Sequence, residues 1–347
     1  MRRALICTAA VLVVLGIHAY GQVRPTERNN PQPIQRNLAP VDRTPTSHDA
    51  GAFWLPTKCD ADGNIYLRPA PERDAPILKI GRDGRSISVS SASVPNLATT
   101  GIGYFAVDQS GTIHQLADFS GERDRFIVHF RPDGTYISRT RLELGTAVSW
   151  RTSQIAVFTA GTFLVAGQIE ADATQNGRPF TGIFSSDGTL LKEVRLPDDD
   201  NLGGEGKAGA GAAGPDMSRA VASGSAESAP DGNVYLMRRT SPVIVYAISP
   251  GGEVIRRFTV IPPGDGFFPI APLHISGARM AILFDDDRGK HTVKVVSLGG
   301  DELAAYGTPM DKDRTGPILA CYTSDHERFT FLGTDDGKLI LKSFEPQ

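Results

Sequence analysis

The chain has 347 residues, of which 40% are hydrophobic and 22% are charged, and its formal net charge at pH 7 is −3. An apolar fraction of this size allows a large buried core and excludes a chain that is disordered throughout. The slight acidic excess argues against a nucleic-acid-binding protein, because such proteins concentrate positive charge against the phosphate backbone.

The N-terminus has the pattern of a secretory signal peptide. Met1-Arg2-Arg3 precedes an apolar run over Ala4–Ile17, and the small-residue site Ala19-Tyr20-Gly21 follows. The run is shorter than the roughly 20 apolar residues that span a bilayer. We therefore predict a cleaved leader over residues 1–21, no membrane span after cleavage, and a periplasmic or secreted location.

Residues 22–50 are rich in Pro, Asn and Arg and show no apolar periodicity. This composition predicts a disordered tether, part of which is also able to add an edge strand. Beyond residue 50, short β-branched and aromatic runs alternate with tight turns, which predicts strands and almost no helix.

The strands and turns recur as a repeat. The first turn of each unit falls at intervals of 48, 50, 71, 45 and 49 residues. The long interval contains a Gly/Ala-rich tract of 22 residues at 198–219, without which it measures 49. The residues at these turns are Gly63, Gly111, Gly161, Gly232, Gly277 and His326.

A repeat of this length with four short strands is typical of a β-propeller blade. We therefore predict an all-β, six-bladed β-propeller of four-stranded antiparallel blades over residues 51–347, with the tract 198–219 inserted between blades three and four. The last unit has only three strands. The N-terminal segment Ser47–Leu55 is predicted to supply the fourth strand, so that the two chain ends close the ring in one blade.

The turn sequences resemble those of the NHL-repeat group of six-bladed propellers. The matching segments are Asp60–Tyr66, Asp108–Gly111 and Pro230–Tyr235. The resemblance implies a propeller, but exported propellers of this kind include binding modules as well as lactonase and lyase enzymes.

The mature chain keeps Cys59 and Cys321, which are 262 positions apart. A closed ring would place them on the inner strands of neighbouring blades. Two interpretations stay open: a disulfide that staples the ring, and two buried thiols that lie too far apart to pair.

One face of the predicted propeller carries long polar connections, and this face is the predicted binding site. Adjacent aromatics in the connection 261–272 are candidates for ligand contact, or alternatively they fill the core between blades four and five. The candidate binding residues are Phe267, Phe268, Arg123, Arg178 and Arg238.

Two further sets of residues are candidates for chemistry. Ca²⁺ is the candidate cofactor for acidic clusters in the connections, although solvated turn residues are the alternative. The weak metal candidates are Asp198, Asp200, Asp285 and Asp287. His114, Glu227 and His274 are candidates for the central funnel, where enzymatic propellers of similar type hold a metal or lyase residues.

The leading functional prediction is an exported binding or scaffold module that recognises a protein, peptide or glycan through the long-connection face. The alternative is a metal-dependent hydrolase or lyase of the gluconolactonase or peptide-lyase propeller type, with its site in the funnel. No local motif for a nucleophile, a zinc site or a phosphate loop is found in the sequence.

Overall fold

The computed structural model describes residues 35–49, 53–69, 76–90, 94, 98–122, 124–144, 149–170, 178–199, 221, 224–286, 288–308 and 318–347. All of them belong to one compact unit, Pro33–Gln347. They form an all-β structure with propeller-like four-stranded sheets. The predicted leader and the segment 22–34 lie outside the described residues. Within the described part of the chain there is no helix with the length and apolar character that a membrane span needs.

Four sheets each contain four antiparallel strands that pair in chain order. Runs rich in Val, Ile, Phe and Tyr supply these strands, because such side chains pack well on a pleated, half-buried surface. The first group of strands is β2 (Phe53–Cys59), β3 (Ile65–Pro69), β4 (Ile77–Ile80) and β5 (Ser86–Ser90). The second group is β6 (Thr99–Val107), β7 (Ile113–Phe119), β8 (Arg125–Phe130) and β9 (Tyr136–Leu142). The third group is β10 (Trp150–Val157), β11 (Phe163–Ile169), β12 (Arg178–Phe184) and β13 (Leu190–Glu193), and the fourth is β14 (Ser225–Ser228), β15 (Val234–Arg238), β16 (Val243–Ile248) and β17 (Val254–Val260).

The other strands form one eight-stranded sheet with two halves. We call the halves the fifth group, which is β18 (Phe267–Ser276), β19 (Arg279–Asp286), β20 (His291–Ser297) and β21 (Glu302–Gly307), and the sixth group, which is β22 (Ile318–Thr323), β23 (Arg328–Asp335), β24 (Lys338–Pro346) and β1 (Gln35–Asp49). Strand β1 joins the halves, because it pairs antiparallel with β24 and, over residues 35–37, parallel with β21. The predicted blades are thus confirmed as four separate sheets, whereas the last two predicted blades share one sheet.

The N-terminal strand corrects two predictions. A strand does complete the last group, but it is Gln35–Asp49 and not Ser47–Leu55. Residues 35–49 are therefore not part of a disordered tether. The backbone of this strand pairs with β24 from Leu38–Pro346 to Asp49–Lys338. Because this pairing holds the strand in place, few of its side chains need to be buried, and its sequence shows no apolar alternation.

The first turns of the first four groups have the same hydrogen-bond pattern. In the first group, the amide of Gly63 donates to the carbonyl of Asp60 at 2.9 Å, and the amide of Asp60 donates to the carbonyl of Asn64 at 3.2 Å. This is a type I turn followed by a residue in the left-handed region, which glycine adopts without strain. The φ angle is 76° at Gly63 and also positive at the other five predicted turn positions, from 57° at Gly277 to 83° at Gly232.

The first and third turns of an antiparallel four-stranded sheet lie at the same edge, and the second turn lies at the opposite edge. We call the side that carries the first and third turns the tight-turn face and the other side the long-loop face. The connection between β19 and β20, which the sequence predicted to be long, is instead a tight turn on the long-loop face, in which the amide of Gly289 donates to the carbonyl of Asp286 at 3.0 Å.

Hydrophobic clusters fill the seams between consecutive groups. Tyr66 and Phe130 belong to a cluster between the first and second groups, and four more clusters follow in the same way along the chain. Another cluster packs Ile65 and Leu78 of the first group against Leu332 and Leu341 of the sixth. The described core is therefore a closed series of seams, and a blade cannot be removed without exposing two of them.

Candidate functional site

A cavity of about 470 Å³ lies where the first strands of all six groups end. Each group contributes the last residues of its first strand, the start of the following turn, or both. The lining segments are Cys59–Ala61, Val107–Ser110, Val157–Thr159 with Gly161, Ser228–Pro230, Ile275–Gly277 and Tyr322–Thr323. These segments adjoin the first turns of the sequence repeat, and Gly161 and Gly277 are themselves such turn residues.

This cavity lies on the tight-turn face, whereas the sequence analysis placed the binding site on the long-loop face. The lining residues adjoin the first turns, which are at the tight-turn edge of each sheet. Much of the long-loop face, including 70–75, 171–177 and 309–317, lies outside the described residues. The site predicted there stays a prediction.

Carboxylates and hydroxyls line the cavity, and no lysine or arginine is among its described lining residues. Burial acts to raise the pKa of Asp60, but hydrogen bonds from Asn64 and Tyr66 and the ammonium of Lys79 together bring the pKa below its usual value. Asp60 is therefore ionised at neutral pH. The hydroxyl side chains of the lining are Ser110, Thr159, Ser228, Ser276, Tyr322 and Thr323.

A charged layer lies directly beneath the cavity, one residue before its wall in three of the first strands. Lys58 of β2 donates to the carbonyl of Ala226 at 2.9 Å and contacts the carboxylate of Glu227 of β14. His274 of β18 is 3% exposed and its Nε2 lies 2.8 Å from the carbonyl of Leu319, which only accepts, so Nε2 carries the proton. Burial, opposed by that hydrogen bond and assisted by the charge of Lys58, lowers the pKa of His274 to about 4.

Two of the three predicted funnel residues lie in this layer. Glu227 and His274 are on the first strands of the fourth and fifth groups, and burial raises the pKa of Glu227 against the effect of Lys58. Lys58 was missed, although a lysine inside a short first strand next to Cys59 is a usable signal. His114 lies elsewhere, because it is on β7, the second strand of its group.

His114 belongs to a line of hydrogen bonds that starts at the cavity wall. Its Nε2 is 3.1 Å from the carboxylate of Asp108, and its Nδ1 is 2.8 Å from Nδ1 of His129. Nε2 of His129 is 2.9 Å from the hydroxyl of Thr140, which donates to the carbonyl of Ser186 at 3.2 Å. The line thus crosses the second group and ends on a turn of the third.

Cys59 and Cys321 form a disulfide between the first and sixth groups, with Cα atoms 5.3 Å apart. Cys59 also belongs to the cavity wall. The seam that closes the series of groups is therefore crosslinked at the cavity.

The predicted binding residues are not brought together. Phe267 and Phe268 begin strand β18 and are half-buried, and Phe267 packs on the cluster between the fourth and fifth groups, in line with the core-filling alternative. Arg178 pairs with Glu193. Arg238 is fully buried and pairs with Asp199 at 3.0 Å. Arg123 lies outside the described residues.

The acidic clusters are engaged by other side chains where they are described. Asp198 pairs with Arg257 at 2.7 Å and accepts a hydrogen bond from Tyr246. Asp285 lies 2.8 Å from His291. Asp200 and Asp287 lie outside the described residues, so the Ca²⁺ prediction is not tested there. Among the residues that the structure describes, no group of three or more His, Cys, Asp or Glu side chains is arranged to hold a metal ion.

No protein-family model matches the chain, and no curated protein matches it in sequence. Among solved structures, it is similar to a protein of unknown function from Dyadobacter fermentans, with a TM-score of 0.52, 11% identity, and coverage of 90% of this chain and 100% of that one. It also matches a protein of unknown function from Bacteroides caccae with a TM-score of 0.45 and 15% identity, over 82% of this chain and 98% of that one. The Dyadobacter structure supports the fold and carries no information on activity.

Proposed function

We propose that this protein is an exported six-bladed β-propeller of the NHL-repeat kind that acts as a binding module, and that it takes a peptide segment with a cationic group into the cavity on the tight-turn face. The observation that carries the proposal is the convergence of the first strands of all six groups on one cavity of about 470 Å³. A concave site with a few polar groups, held by rigid strands, is the usual form of a binding site.

Three observations support six blades in one ring. The hydrophobic seams connect each group to the next and the sixth to the first. Lys58 and Glu227 join the first and fourth groups, which would face each other across a six-membered ring. The eight-stranded sheet consists of two sets of four strands that are joined only by the short parallel pairing of β1 with β21. Each set has the strand number of one blade.

Export is supported by the leader pattern of residues 1–21 and by the crosslink between Cys59 and Cys321. Disulfides persist in oxidising compartments and are rare where glutathione keeps thiols reduced.

The chemistry of the lining favours a peptide with a basic side chain. Asp60 and Asp108 bring two carboxylates to a wall without a lysine or arginine, and each also contacts one basic side chain behind the wall, Lys79 or His114. A lysine or arginine of the ligand would gain charge-assisted hydrogen bonds to these carboxylates. A glycan is less suited to this cavity because sugar rings bind to exposed aromatic faces. The aromatic residues of the lining, Phe158 and Tyr322, are 2% and 1% exposed.

The test is to select random peptides on the immobilised full-length mature protein and to measure the Kd of an enriched peptide. We expect enrichment of lysine and arginine, and an affinity that falls as the salt concentration rises. Thr159 and Gln109 are exposed residues of the lining. Thr159→Trp and Gln109→Trp are therefore expected to obstruct the cavity and to weaken binding at least about tenfold, which corresponds to about 1.4 kcal/mol.

Arg131→Trp is the matched control, because Arg131 is exposed on the third turn of the second group and does not line the cavity. It is expected to leave the Kd unchanged. Full binding by both cavity variants, or equal loss in the control, would place the site elsewhere.

A further inference from the structure

The line of hydrogen bonds that begins at Asp108 needs one proton more than its hydroxyl and two neutral histidines can supply. Four bonds connect the carboxylate of Asp108, the imidazoles of His114 and His129, the hydroxyl of Thr140 and the carbonyl of Ser186. Both ends accept only, since an ionised carboxylate and a carbonyl have no proton to give. Four bonds need four protons, whereas one hydroxyl and two neutral imidazoles supply three.

We propose that the His114–His129 pair binds the missing proton, so that it is cationic at neutral pH and forms an ion pair with the half-buried carboxylate of Asp108. This inference does not rest on the proposed function, although the site shares Asp108 with the cavity wall. It is built entirely from side chains of the second group and one carbonyl of the third.

The direction of each bond follows from the far end of the line. Thr140 donates to the Ser186 carbonyl, so its oxygen accepts from Nε2–H of His129. Nδ1 of His129 then has no proton and accepts from Nδ1–H of His114. Nε2 of His114 must also carry a proton, because it faces the Asp108 carboxylate. The positive charge therefore lies on His114.

The neighbouring titrations agree with this assignment. Burial, and then the charge of His114, lowers the pKa of His129 to about 4, which keeps His129 neutral. Burial alone would raise the pKa of Asp108, but hydrogen bonds from His114, Ser110 and Thr112 bring it to about 2, which keeps Asp108 ionised.

Among the described residues around the two imidazoles, Asp108 is the main charged group. Phe163 of the third group packs against both imidazole rings. Asp187, next to Ser186, is exposed and bonds to Ser185. On the side of the first group, the hydroxyl of Tyr66 is engaged by Asp60. Asp108 is thus the counter-ion that faces the pair.

Loss of the proton would remove one bond from the line, because three protons serve only three of its four bonds. A group that holds its proton more tightly when folded stabilises the fold at low pH, and this stabilisation is lost as the pH rises through its titration. His129 and His274, with pKa values of about 4, act in the opposite sense. They cost stability as the pH falls from about 6.5 towards 4.

The decisive measurement is the long-range ¹H–¹⁵N spectrum of the imidazole nitrogens in the uniformly labelled mature protein. His326 is highly exposed and serves as the internal reference. We expect both nitrogens of His114 to remain protonated at least about one pH unit above the titration of His326. His129 is expected to show a proton on Nε2 and none on Nδ1. A bare nitrogen on His114 at the pH where His326 titrates overturns the proposal.

Urea unfolding at several pH values gives a second readout. The wild-type midpoint is expected to fall more between pH 6.5 and pH 8.5 than that of His114→Gln, while His326→Gln follows the wild type. Identical pH dependence in His114→Gln and wild type contradicts the proposal. If His114→Gln does not fold, the wild-type spectrum still decides the protonation state.

Discussion

Arg68 is a buried cation for which the described residues provide no partner at two of its nitrogens. The side chain is 6% exposed, and its Nε and Nη2 make no hydrogen bond. Burial alone lowers its pKa to about 10. The amide of Gln115 is likewise buried without a partner, and strand alternation directs both side chains into the seam between the first and second groups. Such groups cost stability unless water or an anion joins them.

We predict that Arg68→Met leaves the free energy of unfolding unchanged or raises it, because the substitution removes a buried charge that has no acidic partner among the described residues. Arg238→Met is the matched comparison, since Arg238 is also buried but pairs with Asp199 and bonds to Thr181. That substitution is expected to cost about 3–5 kcal/mol, because it strands a carboxylate.

Urea unfolding of both variants measures the difference. If Arg68→Met loses as much stability as Arg238→Met, the guanidinium of Arg68 has an anionic partner in solution.

At the residue scale, the sequence predicted which strands carry polar groups but not what those groups contact. Glu227 and His274 were predicted to lie at the funnel, and they lie on first strands. Lys58, the partner of Glu227, is 169 positions away in the chain. Nothing local connects the two, because the contact depends on how the groups are arranged.

Turns are the elements that the sequence predicted best, because their chemistry is local. The first turns fall at the five predicted glycines and at His326, and the third turns of the first five groups have the hydrogen bonds of the turn at Gly63. Where a turn is also packed against a neighbour, its glycine has a second role. At Gly188, with φ of 91°, an added Cβ would collide with the carbonyl oxygen of Arg141 on the second group.

Gly188→Ala and Gly232→Ala separate these two roles. Gly232 has φ of 83°, but an added Cβ there meets nothing within 4 Å. We expect Gly232→Ala to cost about 1–2 kcal/mol for the left-handed backbone alone. Gly188→Ala is expected to cost more than this, because the turn must also move away from β9. Chemical denaturation measures the loss of unfolding free energy in each variant. Equal losses would show that the turn at Gly188 moves away from Arg141 at no additional cost.

Strand β1 shows what a pattern-based prediction misses. Its sequence reads as a linker, because Pro, Asp and Arg interrupt any alternation. The unpaired edge of β24 nevertheless offers a row of amides and carbonyls, and a polar chain satisfies them as well as an apolar one. Composition alone therefore places the boundary of the folded part too late.

Two features near the ends of the described chain join the first and last parts of the fold. Strand β1 completes the sixth group, and the disulfide joins the sixth group to the first over a separation of 262 residues. Crosslinking so long a loop restricts the unfolded chain, with an upper bound of about 5 kcal/mol in stability.

We predict that Cys59→Ala/Cys321→Ala lowers the free energy of unfolding by up to about 5 kcal/mol. Chemical denaturation under non-reducing conditions provides the measurement, and wild type unfolded with a reductant is the control. The double variant is expected to be insensitive to the reductant. If the reductant leaves the wild-type midpoint in place, the crosslink contributes little to stability.

The pairing of β1 also sets an order of events during synthesis. Asp49 lies beside Lys338, a residue made 289 positions later. Strand β1 is therefore synthesised long before β24, the strand with which it pairs antiparallel. The sixth group can therefore reach its four-stranded form only after β24 has been synthesised.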